Sequence, residues 1–184
     1  MKKIVALGLA FLVSLSCLSP TEVAASTSIT NTEDFYSQVE VLDGDGQQIP
    51  YTVEEIKQMV HLEPENNNVM VPFAIKGENY GPMTFARMFY IGSGTYGKAY
   101  YNPVDTILTV KNKARAISIK AYHDNGVGGA GKLAQTMKLP GGWTGSVHMS
   151  AWSSLPRGKK YRFQVINQEG KSFTINNIRV LYNN

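Results

Sequence analysis

The fold is decided by an alternating stretch near the C terminus, Tyr161-Arg162-Phe163-Gln164-Val165. Its first, third and fifth residues are large and apolar, whereas the second and fourth are polar. Successive side chains of a β-strand point to opposite faces, so this stretch gives one face to a core and the other to water. Such half-buried strands are typical of antiparallel sheets rather than of alternating strands and helices. We therefore predict an all-β domain.

The same alternation recurs on the N-terminal and C-terminal sides of this stretch. It is found at residues 117–122, 146–152 and 173–176, and clusters of Gly, Asn and Asp separate the runs. Met83 to Ile91 is apolar on both faces, as a central strand would be. Strands separated by turn residues at this spacing predict an antiparallel β-sandwich of about seven to nine strands over residues 69–184.

A local motif supports the sandwich. Leu155 to Val165 resembles the tyrosine corner of immunoglobulin-like and fibronectin type III domains, where a Tyr entering a late strand hydrogen-bonds to the backbone of the preceding turn. Tyr161 is the matching residue. The resemblance covers only this short segment and implies the architecture without implying a function, because sandwiches of this kind host many functions.

Charge divides residues 26–184 into two parts. Residues 26–66 contain nine carboxylates against Lys57 alone, whereas residues 67–184 contain fifteen Lys and Arg against four acids. The formal net charge of +4 hides this division. It predicts an acidic segment at residues 26–68 and a basic domain at 69–184, with a boundary in the turn-forming residues 64–68.

The acidic segment has its own local patterns. Val39 to Leu42 and Ile49 to Thr52 flank an Asp-Gly-Asp-Gly turn, which predicts a hairpin. Thr52 and Glu55 form a capping box that predicts a short helix through about His61. With so few apolar residues the segment is too small to fold alone. We expect it to pack on the basic domain as a cover or pro-region, or to be partly disordered.

The N terminus has the pattern of a secretory signal peptide. Lys2 and Lys3 precede an apolar run from Ile4 to Leu15, which is too short to cross a bilayer, and small residues end at Ala25. We expect cleavage after residue 25 and a secreted mature chain without a transmembrane helix. Lipidation at Cys17 is the alternative. Because Cys17 is the only cysteine, the mature chain would contain no disulfide.

Catalytic and metal-binding patterns are scarce. No Gly-x-Ser-x-Gly elbow is present, and the glycine-rich residues 125–131 lack the Lys and Ser/Thr of a phosphate-binding loop. Residues 43–54 have calcium-loop spacing, but Gln48 stands where that loop requires Gly. We therefore expect no enzyme activity, no catalytic residue, no metal and no cofactor.

The candidate ligand-binding residues are aromatic and basic. His148 and Trp152 share the strand face opposite Val147 and Met149, and Trp143 stands just before the strand. Exposed aromatic rings beside polar groups are suited to binding glycans. The alternative is that Trp152 packs beneath the acidic segment or at the sheet edge. The other candidates are Lys159, Lys160 and Arg162, which belong to the positive field of the basic domain.

These features predict a small, secreted, non-catalytic binding protein. Its partner would be an anionic polymer or glycan of the cell envelope, because a positive surface attracts polyanions. Nucleic acid is not expected as a partner outside the cell. The alternative function is a secreted effector, such as a toxin, a bacteriocin-like protein or a protease inhibitor, that an acidic pro-segment holds inactive.

Overall fold

The computed structural model of the protein describes residues 32–63 and 75–183. Over these residues the chain is mostly β-strand, and every strand pairing is antiparallel. The prediction of an all-β protein with antiparallel sheets is confirmed. The signal peptide predicted at residues 1–25, Cys17 and the boundary predicted at residues 64–68 lie outside the described residues.

Two short helices and two short strands come first. They are α1 (Thr32–Ser37), β1 (Glu40–Asp43), α2 (Val53–Met59) and β2 (Val60–Glu63). The strands of the later part are β3 (Ile75–Tyr80), β4 (Met83–Phe85), β5 (Met88–Tyr90), β6 (Tyr100–Tyr101), β7 (Pro103–Val110), β8 (Ile117–Asp124), β9 (Ala130–Leu139), β10 (Gly145–Met149), β11 (Lys160–Asn167), β12 (Phe173–Ile175) and β13 (Asn177–Asn183). A 3-10 helix, Ala151–Ser154, follows β10.

These strands form two large sheets and one small one. The six-stranded sheet has the order β1-β9-β8-β11-β5, with β6 also pairing with β11. The five-stranded sheet has the order β2-β10-β7-β13-β3, and β4 pairs with β12. One cluster of buried apolar side chains draws on both large sheets, with Ile119 and Phe163 from the six-stranded sheet and Leu108 and Val147 from the five-stranded sheet.

The acidic segment belongs to both large sheets. Strand β1 pairs with β9 at an edge of the six-stranded sheet, and β2 pairs with β10 at an edge of the five-stranded sheet. Three side chains of the segment, Phe35 of α1, Ile56 of α2 and Val60 of β2, enter the common core. The segment therefore completes two sheet edges and supplies part of the core.

Several acids of this segment face basic residues of the later part. Glu40 on β1 contacts the Lys138 ammonium at 2.8 Å, and Asp45 contacts that of Lys132 at 3.2 Å. All four side chains are exposed, so each pair contributes little to stability. The pairing nevertheless explains part of the charge division, since the acidic segment lies beside basic strands.

Two local predictions are confirmed. Thr52 accepts a hydrogen bond from the Glu55 N–H while the Glu55 carboxylate accepts one from the Thr52 N–H, which is the predicted capping box. The Tyr161 hydroxyl donates to the Pro156 carbonyl at 2.8 Å, as a tyrosine corner requires. Both motifs involve residues only three to five positions apart.

Three element predictions are wrong. Met83 to Ile91 is not one central strand, because β4 and β5 belong to different sheets and β5 lies at an edge. The Ile49–Thr52 return strand is reduced to a single bridge between Leu42 and Gln48 and the hydrogen bond from Ile49 to Val41, because the chain soon reaches Thr52, which caps α2. Helix α2 ends at Met59, and His61 lies in β2, where backbone hydrogen bonds to β10 favour the extended form.

Candidate functional site

The three residues expected on an exposed aromatic face are buried. Trp143, His148 and Trp152 retain 4%, 6% and 0% of their accessible surface. Strand β10 ends at Met149, so Trp152 lies in the 3-10 helix and packs on Phe163 with the ring centroids 5.0 Å apart. The strand alternation on which the prediction rested stops before Trp152 is reached. The expectation of an exposed face there is wrong.

His148 lies between two carboxylates from neighbouring strands. Its Nε2 is 3.2 Å from Glu63 on β2, and its Nδ1 is 3.5 Å from Asp105 on β7. Burial lowers the pKa of His148, but the hydrogen bond to Asp105 and the attraction of both carboxylates outweigh it and raise the pKa above 6.5. His61, directly opposite on β2, is exposed. This arrangement acts as an ionic link across three strands.

We expect this link to make stability depend on pH. A folded-state pKa above the unfolded value means that His148 contributes stability fully below about pH 6.5, and that the contribution is lost as the pH rises through the folded-state pKa. In urea unfolding, the His148→Gln variant should therefore show a flatter pH dependence than the wild type over this range. Parallel curves for the two proteins would contradict the assignment.

The three basic residues predicted to bind ligand lie in different surroundings. Lys159 and Lys160 are exposed at the start of β11. Arg162 is buried; its guanidinium donates to Asp124 at 2.8 Å and to the carbonyl of Gly97. Through these hydrogen bonds Arg162 holds a loop in place, whereas Lys160 is an exposed cation at the start of the same strand.

Aromatic side chains that are exposed or half-buried lie elsewhere, on the outer face of the six-stranded sheet. Tyr122 on β8, Tyr90 on β5 and Tyr96 in the following loop form a continuous row, which we call the tyrosine strip. The ring centroids of Tyr90 and Tyr96 are 5.6 Å apart, and those of Tyr90 and Tyr122 are 6.3 Å apart. Tyr96 is 45% exposed, and the neighbouring Met88 is 51% exposed.

Strand β11 runs beneath the strip and brings its members together. Gln164 of β11 lies opposite Lys120 of β8 and Tyr90 of β5. Its side-chain oxygen accepts from the Tyr122 hydroxyl at 3.2 Å, and its amide contacts the Met88 sulfur at 3.4 Å. Polar and cationic groups therefore lie among the rings, with apolar residues of the same strand in the core.

Two hydroxyl groups of the strip, those of Tyr90 and Tyr122, have raised pKa values. Burial raises the pKa of Tyr90 and, to a smaller extent, so does the neighbouring Tyr96. Burial and then Tyr90 raise the pKa of Tyr122. A neutral phenol both donates and accepts hydrogen bonds, which suits it to hydroxyl-rich ligands.

Two anchors fix the loop that presents Tyr96. Arg162 donates to the Gly97 carbonyl, and the φ of 65° at Gly97 is one that side-chain-bearing residues rarely adopt. The second anchor is the next residue, Lys98, which donates to the Glu78 carboxylate. This carboxylate also accepts from Tyr80 and Tyr182. Partial burial raises the pKa of Glu78, but these three hydrogen bonds lower it to about 2. Two consecutive residues, Gly97 and Lys98, therefore hold the C-terminal end of the loop.

Sequence reasoning missed the tyrosine strip. Its three rings come from separate segments, and only the pairing of β5 and β8 with β11 makes them neighbours. One local signal was available, since Tyr122 and Lys120 occupy the polar positions of the alternating run at 117–122.

Comparisons with protein-family models, with curated proteins and with solved structures give no match for this chain. Across residues 32–63 and 75–183, no three His, Cys, Asp or Glu side chains are grouped to hold a metal ion. In the same ranges, no helix has the length and apolar character needed to cross a membrane.

Proposed function

We propose that this protein is a secreted, non-catalytic binding protein whose tyrosine strip binds a glycan-containing polymer of the cell envelope. The observation that carries the proposal is the row formed by Tyr90, Tyr96 and Tyr122, on a sheet face that also carries Lys120, Gln164 and Met88. Aromatic faces bury the apolar faces of sugar rings, and their hydroxyl groups pair with sugar hydroxyls.

The surroundings of the strip support this ligand class. Lys120 and Lys160 lie on the same face of the sheet and favour a ligand with negative charge. Gln164 is buried and positions the strip, because its side chain accepts from the Tyr122 hydroxyl and contacts the Met88 sulfur. The rings are tilted by 50° and 72° to one another, so they suit a curved or jointed chain better than a flat single ring system.

The proposal includes the compartment and the finer architecture. Residues 1–25 would direct export, and lipid attachment at Cys17 remains the alternative form of the mature protein. The two large sheets would form an immunoglobulin-like sandwich, which the shared core and the tyrosine corner of Tyr161 support. Such a scaffold would leave the outer face of the six-stranded sheet available to the polymer.

Removing the aromatic rings should weaken binding. Each ring contributes on the order of 1 kcal/mol, so we expect about a fivefold loss for Tyr96→Ala and about a thirtyfold loss for the Tyr96→Ala/Tyr122→Ala double variant. The measurement is retention of the mature chain on isolated cell walls and on immobilised polysaccharides.

His61→Ala is the matched control, because His61 is an exposed ring on β2, an edge strand of the other large sheet. It should bind as the wild type does. Unchanged binding by the double variant, in a protein shown by circular dichroism to be folded, would refute the proposed site.

A further inference from the structure

A second surface lies at the end of the six-stranded sheet where β8 begins and β11 ends. The loop at residues 111–116 enters β8 there, and the loop at residues 168–172 leaves β11. The Gln168 N–H donates to the Ala116 carbonyl at 2.9 Å, which joins the two loops. We call this surface the basic end, and its exposed cations are Arg87, Lys111, Lys113 and Lys171.

The backbone of the basic end is fixed by the core. Ala114, between the two lysines of its loop, is buried and exchanges hydrogen bonds with the segment before β10. Its N–H donates to the Trp143 carbonyl at 2.8 Å, and its carbonyl accepts from Gly142 at 2.7 Å. Asn176 accepts from the Lys111 N–H at 3.0 Å. The lysines are therefore displayed on a defined loop.

Nearby acids neutralise only part of the charge of the basic end. Glu169 is the one carboxylate in these loops, and it accepts hydrogen bonds from Arg115 and from the Ala116 N–H. Burial raises the pKa of Glu169, but these hydrogen bonds and the attraction of Arg115 and Lys171 lower it. Within the two described ranges, no salt bridge reaches Lys111, Lys113 or Lys171. Several uncompensated cations on one small surface attract a ligand with repeated negative charges.

The basic end is continuous with the tyrosine strip along β11. From Gln164 beneath the strip to Gln168 at the basic end the chain rises by about 13 Å. Met88 lies between them, opposite Ile166, and is exposed. A linear polymer that follows β11 would contact the rings first and the cations next.

We propose that the basic end binds the repeating phosphate groups of a linear phosphodiester polymer that continues onto the tyrosine strip. The phosphate contact is inferred from the cations alone. The continuation of the polymer onto the tyrosine strip rests on the proposed function. A polymer fits better than a membrane, because Met88 is the one large exposed apolar residue of the described chain beside the basic end, whereas Tyr96 and Val127 lie elsewhere, which leaves little apolar surface to insert into lipid.

The test compares two charge-matched double variants of the full mature chain. Lys111→Ala/Lys113→Ala removes two cations from the basic end, and Lys132→Ala/Lys159→Ala removes two exposed cations elsewhere. Binding to soluble poly(glycerol phosphate) is measured at low salt, beside a neutral polysaccharide and vesicles of phosphatidylglycerol. We expect about a tenfold loss of affinity for poly(glycerol phosphate) in the first variant and less than about twofold in the second.

Each outcome distinguishes the two proposals. An equal loss in both double variants would mean that net charge alone attracts the polymer, and would overturn the basic end as a site. Binding of the vesicles but not of poly(glycerol phosphate) would assign the surface to a membrane and also overturn it. If the lysine result holds but the Tyr96→Ala/Tyr122→Ala variant binds every polymer normally, the phosphate site stands and the proposed function of the strip fails.

Discussion

A chain that begins at Val69 should fail to form a stable domain, whereas the chain that begins at Ser26 should fold. The shorter chain lacks β1 and β2, so β9 and β10 become open sheet edges. It also lacks the fully buried side chains of Phe35 and Val60. We expect no cooperative thermal transition by circular dichroism and strong aggregation on expression.

A point variant separates the packing effect from the effect of truncation. Phe35→Ala removes one buried ring from α1 and should lower the free energy of unfolding by about 3–5 kcal/mol while leaving the strands in place. A cooperative, soluble chain from Val69 onwards would contradict this account. That result would instead favour the alternative function, in which the acidic segment is released from a secreted effector.

Trp152→Ala should be among the most destabilising single substitutions in the protein. The indole is fully buried and packs on Phe163. Replacing a buried aromatic residue with Ala costs about 3–5 kcal/mol. Chemical denaturation followed by far-ultraviolet circular dichroism measures this loss.

Tyr96→Ala provides the comparison for Trp152→Ala. Its ring is partly exposed and contacts Tyr90 alone among aromatic rings of the described residues, so we expect a loss of about 1 kcal/mol or less. We therefore expect Trp152→Ala to lower stability and Tyr96→Ala to weaken ligand binding. A stable Trp152→Ala protein with impaired binding would contradict the burial of Trp152 and would favour the exposed aromatic face predicted from the sequence.

Features set by neighbouring residues were predictable from the sequence. The capping box of Thr52 and Glu55 and the hydrogen bond of Tyr161 depend on short segments whose geometry the residue types determine. The alternating runs that became β8 and β11 were also predictable, because both strands have one face in the core and one in a polar layer.

Features set by long-range pairing were not predictable. The division of charge suggested two units, but charge does not encode which strands pair, and β1 and β2 each joined a sheet of the later part. The split of Met83 to Ile91 likewise depends on β12 and β11, two partners elsewhere in the chain. In the tyrosine strip, Tyr122 lies in the alternating run at residues 117–122, which the sequence shows. That Tyr90 and Tyr96 are its neighbours follows only from the order of strands in the sheet.

The placement of the first strands at both sheet edges has a consequence for how the chain matures. Glu40 meets Lys138 across 98 positions, so the earliest strands to be synthesised wait for partners that are made much later. Folds dominated by such distant pairings form slowly. We therefore expect the newly made chain to stay extended and accessible until most of it is complete, which is the state in which a protein can still be threaded through a translocation channel.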